Sequence, residues 1–405
     1  MKPFEYDVII AGAGPAGSTA ASFLADYGYR TLMIEAGTHP RFHIGESMLP
    51  ATDPIMKRLG IDWGSGNQFK QGAEFIHEAS AKSLLISFGE DRKAYQVERS
   101  RFDRMLYEQA LLLGVEAHEH EKVLNFTSDD RCVQVESDKR FYTARYFIDA
   151  TGRNALSGRK HGSIYKIHEF GRYAQFRHYK LTRSELAEHL FETGNIQVVL
   201  VDIGWLWAIP LSGKRLSVGL VVKGDLPNAL KGEPLFHAYI EASPLLSRLL
   251  NHAEAIGDFR TEADFSYLNL NRGGQRFACC GDAAGFLDPV FSSGFFFAVK
   301  SAEMTADRIH RAFLEGREAD PALHDDDNRV YDSGFQTMYA LIDRFYHSSM
   351  IENIVFEADR HERIKQEITA LLSGDLWDEN NLFQRGILNG RRAFVKNIHS
   401  LGAWS

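Results

Sequence analysis

Three stretches of the chain predict an α/β fold in which a parallel, nucleotide-type sheet is interleaved with an antiparallel sheet and followed by a helical C-terminal region. The first is an apolar strand, Tyr6 to Ile10, running into the glycine turn Gly12-Ala13-Gly14-Pro15-Ala16-Gly17 and then a helical stretch to about Ala25. The second is a set of apolar or alternating segments, 196–201, 206–210 and 216–222, with the period of two that antiparallel strands require. The third is a change to helical spacing beyond Gly294, kept by Phe335, Met338, Ile342 and Phe345 and again by Ile351, Ile354 and Val355. At 405 residues the chain is too long for a single core. It divides into units over 1–165, 166–270, 271–315 and 316–405, the first and third forming one domain.

Each element has its own justification. A second strand, Thr31 to Ile34, ends on Glu35, about 20 residues after the glycine turn. Strand, G-x-G-x-x-G, helix, strand and acid in that order form a dinucleotide-binding arrangement of Rossmann type. Gly12 permits the tight turn, Gly14 lets a pyrophosphate reach the backbone, and Gly17 packs the helix on the sheet. Glu35 is suited to accept the hydroxyls of an adenosine ribose. Either NAD or FAD fits this much. The polar, glycine-containing segment 40–47 directly after the acid, which includes Arg41 and Ser47, favours FAD. A helix follows Arg99, with Ser100 as the expected N-cap, Phe102, Leu106, Ala110 and Leu113 on one face, and Gly114 as stop. Strands at 123–126, 131–135 and 144–148 lead to a second glycine turn, Asp149-Ala150-Thr151-Gly152. Segments 173–179 and 265–270 are expected to extend the antiparallel sheet. Asp325-Asp326-Asp327 reads as a solvated cap and boundary between helical segments.

A third turn stands out late in the chain. The strand 277–280 enters Gly281-Asp282-Ala283-Ala284-Gly285, and Ser292-Ser293-Gly294 precedes a long apolar helix beginning near Phe295. Small residues let the backbone approach a flat ligand. Asp282 is placed for a sugar-like hydroxyl, and the helix start at Ser293-Gly294 for an anion.

Composition excludes several classes. Lys and Arg number 46 against 54 Asp and Glu, a net charge of −8, which argues against nucleic-acid binding. Cys132, Cys279 and Cys280 give neither a disulfide framework nor metal-ligand spacing, and no metal is expected. No apolar run approaches a membrane span and no leader is evident, so a cytoplasmic protein without membrane contact is expected.

The opening fingerprint and the two later glycine turns resemble the FAD-dependent aromatic hydroxylase superfamily. Within it the chain resembles the flavin-dependent halogenases along nearly its whole length. The matching segments are Pro40 to Pro50, Trp205-Leu206-Trp207-Ala208-Ile209-Pro210 as W-x-W-x-I-P, and Phe286, Pro289, Ser292 and Gly294 as F-x-x-P-x-x-S-x-G. The resemblance implies an enzyme that uses FAD, supplied reduced as FADH2, with O2 and chloride or bromide. A flavin hydroperoxide would give hypohalous acid, which halogenates an electron-rich aromatic ring in natural product biosynthesis. It implies FAD contacts at Gly12, Ala13, Gly14, Ala16, Gly17, Glu35, Ala36, Arg41, Ser47, Arg99, Val123, Asp282 and Gly294. Halide is implied at Ser293 and Gly294, and a flavin–substrate barrier at Trp205, Trp207, Pro289 and Phe291. Read by themselves, Trp205 and Trp207 face one side of a strand, as a pair of buried aromatics would. Lys70 matches the family's essential lysine; as an ammonium it polarises hypohalous acid, and as an amine it forms a haloamine.

Two departures bear on substrate. Phe291 stands where tryptophan halogenases carry a glutamate, which argues against free tryptophan. Phe295-Phe296-Phe297 stands where carrier-protein-dependent halogenases usually have Val-His-Leu. A phenol- or pyrrole-type substrate, held on a carrier protein or free, is the expectation. The alternative is a monooxygenase that hydroxylates an aromatic group, free or within a peptide, and a third reading is a reductase or flavin-binding partner without halide chemistry. A single glycine fingerprint, spent on FAD, implies that a separate flavin reductase supplies the electrons.

Overall fold

The protein is described by a computed structural model that covers residues 4–182, 184–227, 231–263, 265–348 and 362–389. The helical segment expected at Ile351 to Val355 lies outside the described residues. The apolar strand at the N-terminus, Tyr6–Ala11, forms the centre of the first sheet because every residue after Tyr6 is buried. It pairs in parallel with Thr31–Ile34 on one side and Phe141–Asp149 on the other. Phe277–Cys279 and Glu116–His118 extend the parallel order outward. The helices Pro15–Asp26, Arg99–Leu112 and Ser293–Glu315 cover one face of this sheet. The chain returns to this sheet at 277–279. The 99–112 helix starts at Arg99 with Glu98 as cap, two residues earlier than the Ser100 cap expected, and the Glu98 side chain makes no capping hydrogen bond.

The second sheet has seven strands. Their order is Glu254–Ala263, Arg172–Lys180, Arg215–Lys223, Gly204–Leu211, Ile196–Val201, Gly72–His77 and Lys82–Ser87. Its five later strands are antiparallel, as the alternation requires, while Gly72–His77 adds in parallel beside Ile196–Val201. The last two strands come from within the segment assigned to the nucleotide unit, so the two units share chain. The 265–270 segment does not join this sheet: Tyr267–Asn269 pairs with Ile164–Lys166 and Gly285–Phe286 in a separate three-stranded sheet that props the 281–294 loop.

The period of two has the expected consequence along Gly204–Leu211. Trp205, Trp207 and Ile209 join the main core, whereas Leu206 and Ala208 join a second core under the helices Glu185–Thr193, Glu233–Ala242 and Pro244–Leu249. Beyond the 293–315 helix, Asp325–His347, Glu362–Leu372 and Leu382–Asn389 pack as a helical cap. The three aspartates are the first turn of the 325–347 helix rather than a free boundary, and Asp327 is held by a bidentate pair with Arg308. Negative charge there complements the helix N-terminus.

Candidate active site

The glycine fingerprint does locally what its spacing demands. A Cβ at Gly12 would lie 2.3 Å from the Ala150 carbonyl oxygen, and one at Gly17 would lie 1.9 Å from that of Gly12. Both glycines are therefore fixed by backbone approach, the first also by a φ of +98°. Gly14 differs: its Cβ would meet only the Arg41 guanidinium, at 3.3 Å, so the space beside it opens into a cavity.

That cavity has a volume of about 960 Å³, at the upper end of small-ligand sites. It is lined by Gly12, Gly14, Ala16, Glu35, Ala36, Arg41, Ser47, Arg99, Val123, Asp282 and Gly294 from the expected cofactor set. Trp205, Trp207 and Pro289 close its far wall. Ala13 and Gly17 lie behind this surface; the Ala13 N–H donates to Glu35 Oε2 at 2.8 Å and orients the carboxylate. The Gly37 N–H holds the other oxygen at 2.9 Å.

A dinucleotide fits these groups. Arg41 Nε is buried without a hydrogen-bond partner, its nearest carboxylate oxygen, on Glu35, being 4.0 Å away. This orphaned donor sits over Gly14 and the start of the Pro15–Asp26 helix, where a diphosphate satisfies both the guanidinium and the unpaired helix N–H groups. Asp282 faces the same space, and burial raises its carboxyl to about 6. Arg99 is committed to structure as well: it pairs with Asp103 at 2.7 and 2.9 Å and donates to the Ile44 and Gly45 carbonyls. It thereby fixes the 44–47 segment along the cavity. Beside it His43 is lowered to about 4 by the Arg99 guanidinium and by burial, so its ring is neutral at physiological pH.

At the other end, Ser292 adopts a left-handed conformation, φ +58°, immediately before the 293–315 helix. A non-glycine residue held there marks a constrained turn. Ser292 and Gly294 line the cavity, whereas Ser293 is buried behind it. A Cβ at Gly294 would lie 2.7 Å from the Phe286 ring, so this helix start tolerates no side chain without displacing the motif phenylalanine.

Lys70 and Phe291 are not on the cavity surface. Phe291 packs edge-on against Phe75 and Phe345, one layer behind Pro289. Lys70 is 1% exposed, and its Nζ donates to Ser47 Oγ and to the Met48 carbonyl, both at 2.8 Å. The Phe88 ring lies 5.1 Å from the same nitrogen. With no carboxylate among these partners, burial lowers the lysine to about 7. Ser47 thus touches the cavity on one side and Lys70 on the other.

Sequence reasoning missed the roof of the cavity: Ala174 and Phe176 from one strand and Arg260, Thr261 and Glu262 from its neighbour. Phe42 lies under Arg260 at 4.0 Å and stacks near Phe176. Only the pairing of 172–180 with 254–263 brings these residues over the fingerprint. No local signal in the sequence announces them.

The tryptophan halogenase family profile matches residues 7–93 and 90–386, nearly the whole chain. The chain belongs to the flavin-dependent halogenase family. This halogenase is 30% identical over 439 residues to a 1H-pyrrole-2-carbonyl-[peptidyl-carrier protein] chlorinase of Pseudomonas fluorescens, covering 99% of this chain and 95% of that one. It is 32% identical to a 1H-pyrrole-2-carbonyl-[peptidyl-carrier protein] brominase of Pseudoalteromonas luteoviolacea, covering 93% and 94%. Among solved structures it is similar to the flavin-dependent brominase Bmp2, with a TM-score of 0.82 at 28% identity over 95% of this chain and 98% of that one. The myxobacterial chondrochloren halogenase CndH matches with a TM-score of 0.80 at 30% identity, over 98% and 96%. The enzyme accordingly uses FAD in its reduced form, O2 and a halide to halogenate its substrate. Among the described residues, no helix is long and apolar enough to cross a membrane.

Proposed function

We propose that this halogenase acts on an electron-rich ring of pyrrole type presented on a carrier protein, and that Lys70 activates the oxidant. The buried, unpaired state of Lys70 carries this reading. An ammonium with two hydrogen bonds and, among the described residues, no counter-ion keeps a third N–H for a small neutral guest such as hypohalous acid. Lowered to about 7, the group holds ammonium and amine in comparable amounts near neutrality. The substrate class is supported by the two relatives whose names specify a pyrrolyl carrier protein.

When bound, reduced FAD with O2 supplies the oxidising equivalents that convert halide to hypohalous acid. The residues of the chain divide the remaining work. Gly14, Arg41 and the first helix hold the diphosphate, Glu35 the ribose, and Asp282 the ribityl side of the cofactor. The start of the 293–315 helix, at Ser293 and Gly294, offers backbone N–H groups and the positive end of its dipole to the halide. Trp205, Trp207 and Pro289 separate this compartment from the substrate side, and Ser47 is the polar contact between it and Lys70. Reduced flavin comes from a separate reductase.

The experiment is bromination of pyrrole and phenol substrates, free and carrier-bound, with photoreduced FAD and bromide, read as brominated product per reduced flavin. Carrier-bound pyrrole is expected to give the highest yield. Lys70→Ala is expected to keep FAD affinity and lower the yield by about 10²–10³-fold, as losing one preorganised donor does. Lys70→Arg is not expected to restore it, because the planar guanidinium has a different shape and does not lose its proton. Near-normal bromination by Lys70→Ala removes Lys70 from the reaction. Equal yield from free pyrrole removes the carrier, and rapid NADH oxidation by the protein alone removes the reductase.

A further inference from the structure

The two tryptophans of the cavity wall are anchored differently. Trp207 Nε1 donates to Ser217 Oγ at 3.1 Å, on the neighbouring strand of its own sheet. Trp205 Nε1 donates instead to the hydroxyl of Tyr346 at 2.9 Å, near the end of the 325–347 helix. The Tyr346 hydroxyl has one proton, shared between Asp288 Oδ1 and Oδ2 at 3.0 and 3.1 Å, so it must accept from the indole. Asp288 Oδ1 also accepts the Val290 N–H at 2.9 Å, capping the turn that carries Pro289 toward Ser292. The Arg172 guanidinium lies on the Tyr346 ring at 3.8 Å and faces the buried carboxylate from the antiparallel sheet. Trp205 is 2% exposed and Asp288 1%, so these bonds lie in a low-dielectric setting where a missing partner is costly.

We propose that Tyr346 is a positioning residue for the halogenation reaction: its hydroxyl, bridging Trp205 and Asp288, sets the indole in the wall between the flavin cavity and the substrate side and so confines the oxidant. The chain indole–phenol–carboxylate–amide joins three separate parts of the fold: a sheet strand, the C-terminal helical cap and the loop before the 293–315 helix. Trp207 keeps its orientation whatever the cap does, since its partner is within the sheet. Trp205 depends on the cap. Displacing the 325–347 helix, which packs through Phe345 against Phe75 and Phe291, therefore loosens one tryptophan and not the other. The confinement part of this inference rests on the wall function proposed above; the anchoring of Trp205 does not.

The test is Tyr346→Phe, which keeps the ring under Arg172 and deletes the bridge. Two readouts are taken. In the FAD-free protein, the indole N–H marker in ultraviolet resonance Raman spectra is expected to shift toward the unbonded form, with Trp205→Phe identifying the component. In the full reaction with bromide, the oxidant trapped by a soluble β-diketone, relative to ring bromination, is expected to rise about fivefold, the worth of one net hydrogen bond, at unchanged FAD affinity. Ser217→Ala, which unties Trp207, is expected to leave the Trp205 component in place. Asp288→Asn keeps the shape of the bridge and serves if Tyr346→Phe does not fold; a rise of about twofold in trapped oxidant is expected, since a neutral acceptor weakens the bond. An unshifted Trp205 component overturns the anchoring. A shifted component with an unchanged trapping ratio overturns the confinement. No bromination and no trapped oxidant in wild type removes the wall function and leaves the anchoring to the spectra.

Discussion

The cavity and the buried surroundings of Lys70 share one residue, Ser47, and are built by different means. The cavity is a backbone structure: Gly12 and Gly17 set the chain's path to within atomic contact, Gly14 opens onto the space, and two helix starts border it at Pro15 and Gly294. Lys70 is instead packed in place, with the Ser47 hydroxyl, the Met48 carbonyl and the Phe88 ring around one ammonium. Backbone dipoles hold an anionic cofactor without any change of charge state. A desolvated lysine, by contrast, has its charge near balance and responds to pH and to whatever guest enters. The cavity is suited to holding and the lysine to switching.

The strongest test of this contrast is Gly14→Val. Because the new Cβ meets only the Arg41 guanidinium, the protein is expected to fold, with a thermal midpoint near that of FAD-free wild type, yet to lose about 100-fold or more in FAD affinity as the diphosphate is pushed off the helix start. A yellow, FAD-replete variant would show that Gly14 does not border the cofactor. Gly17→Val, whose Cβ meets the Gly12 carbonyl, is expected not to fold at all, which separates binding from packing within one fingerprint.

A change belonging to neither compartment sharpens the comparison. Leu206, between the two tryptophans, is fully buried in the outer core. Leu206→Ala is expected to cost about 2–4 kcal/mol in urea unfolding while FAD affinity and product per reduced flavin stay at wild-type values. A large loss of product at full FAD occupancy would mean that the wall depends on both faces of its strand.

The smallest expected effect is the pH signature of Lys70. Burial depresses Lys70 from 10.5 to about 7, so between these values the unfolded chain binds the proton that the folded chain has released. The penalty for burying the ammonium is complete below pH 7 and is relieved as pH rises toward 10.5. Lys70→Met, which has no such penalty, is expected to gain on wild type by about 2–3 kcal/mol more at pH 6 than at pH 9, measured by urea unfolding at both. An equal difference at the two pH values would show that Lys70 titrates normally.

The parts legible in the sequence are those whose geometry is local. The G-x-G-x-x-G turn, Glu35 at the end of the second strand and the common face of Trp205 and Trp207 follow from turn sterics and a period of two, and the structure has each of them. The helix boundary at Ser100 was misplaced because a serine is a good cap only where its hydroxyl can reach an N–H, and here Glu98 precedes the first turn. The shortfall at Asp325 to Asp327 has the same kind of cause: composition suggests a solvated turn, but Arg308 from another helix holds Asp327.

By itself, then, the sequence determined the nucleotide half and the strand that carries Trp205 and Trp207, since backbone sterics and strand periodicity act over a few residues; the family's chemistry came only with the resemblance of its motifs. Tertiary structure alone decided that Gly72–His77 leaves the nucleotide unit for the second sheet, which brings Lys70 against Ser47, 23 residues earlier in the chain. It alone decided that Phe291 packs against Phe75 off the cavity surface and that Tyr346, 141 residues beyond Trp205, accepts its indole N–H. The reason is physical: a buried N–H or ammonium must find a partner, and which partner it finds depends on strand order and helix packing, to which no short window of sequence has access.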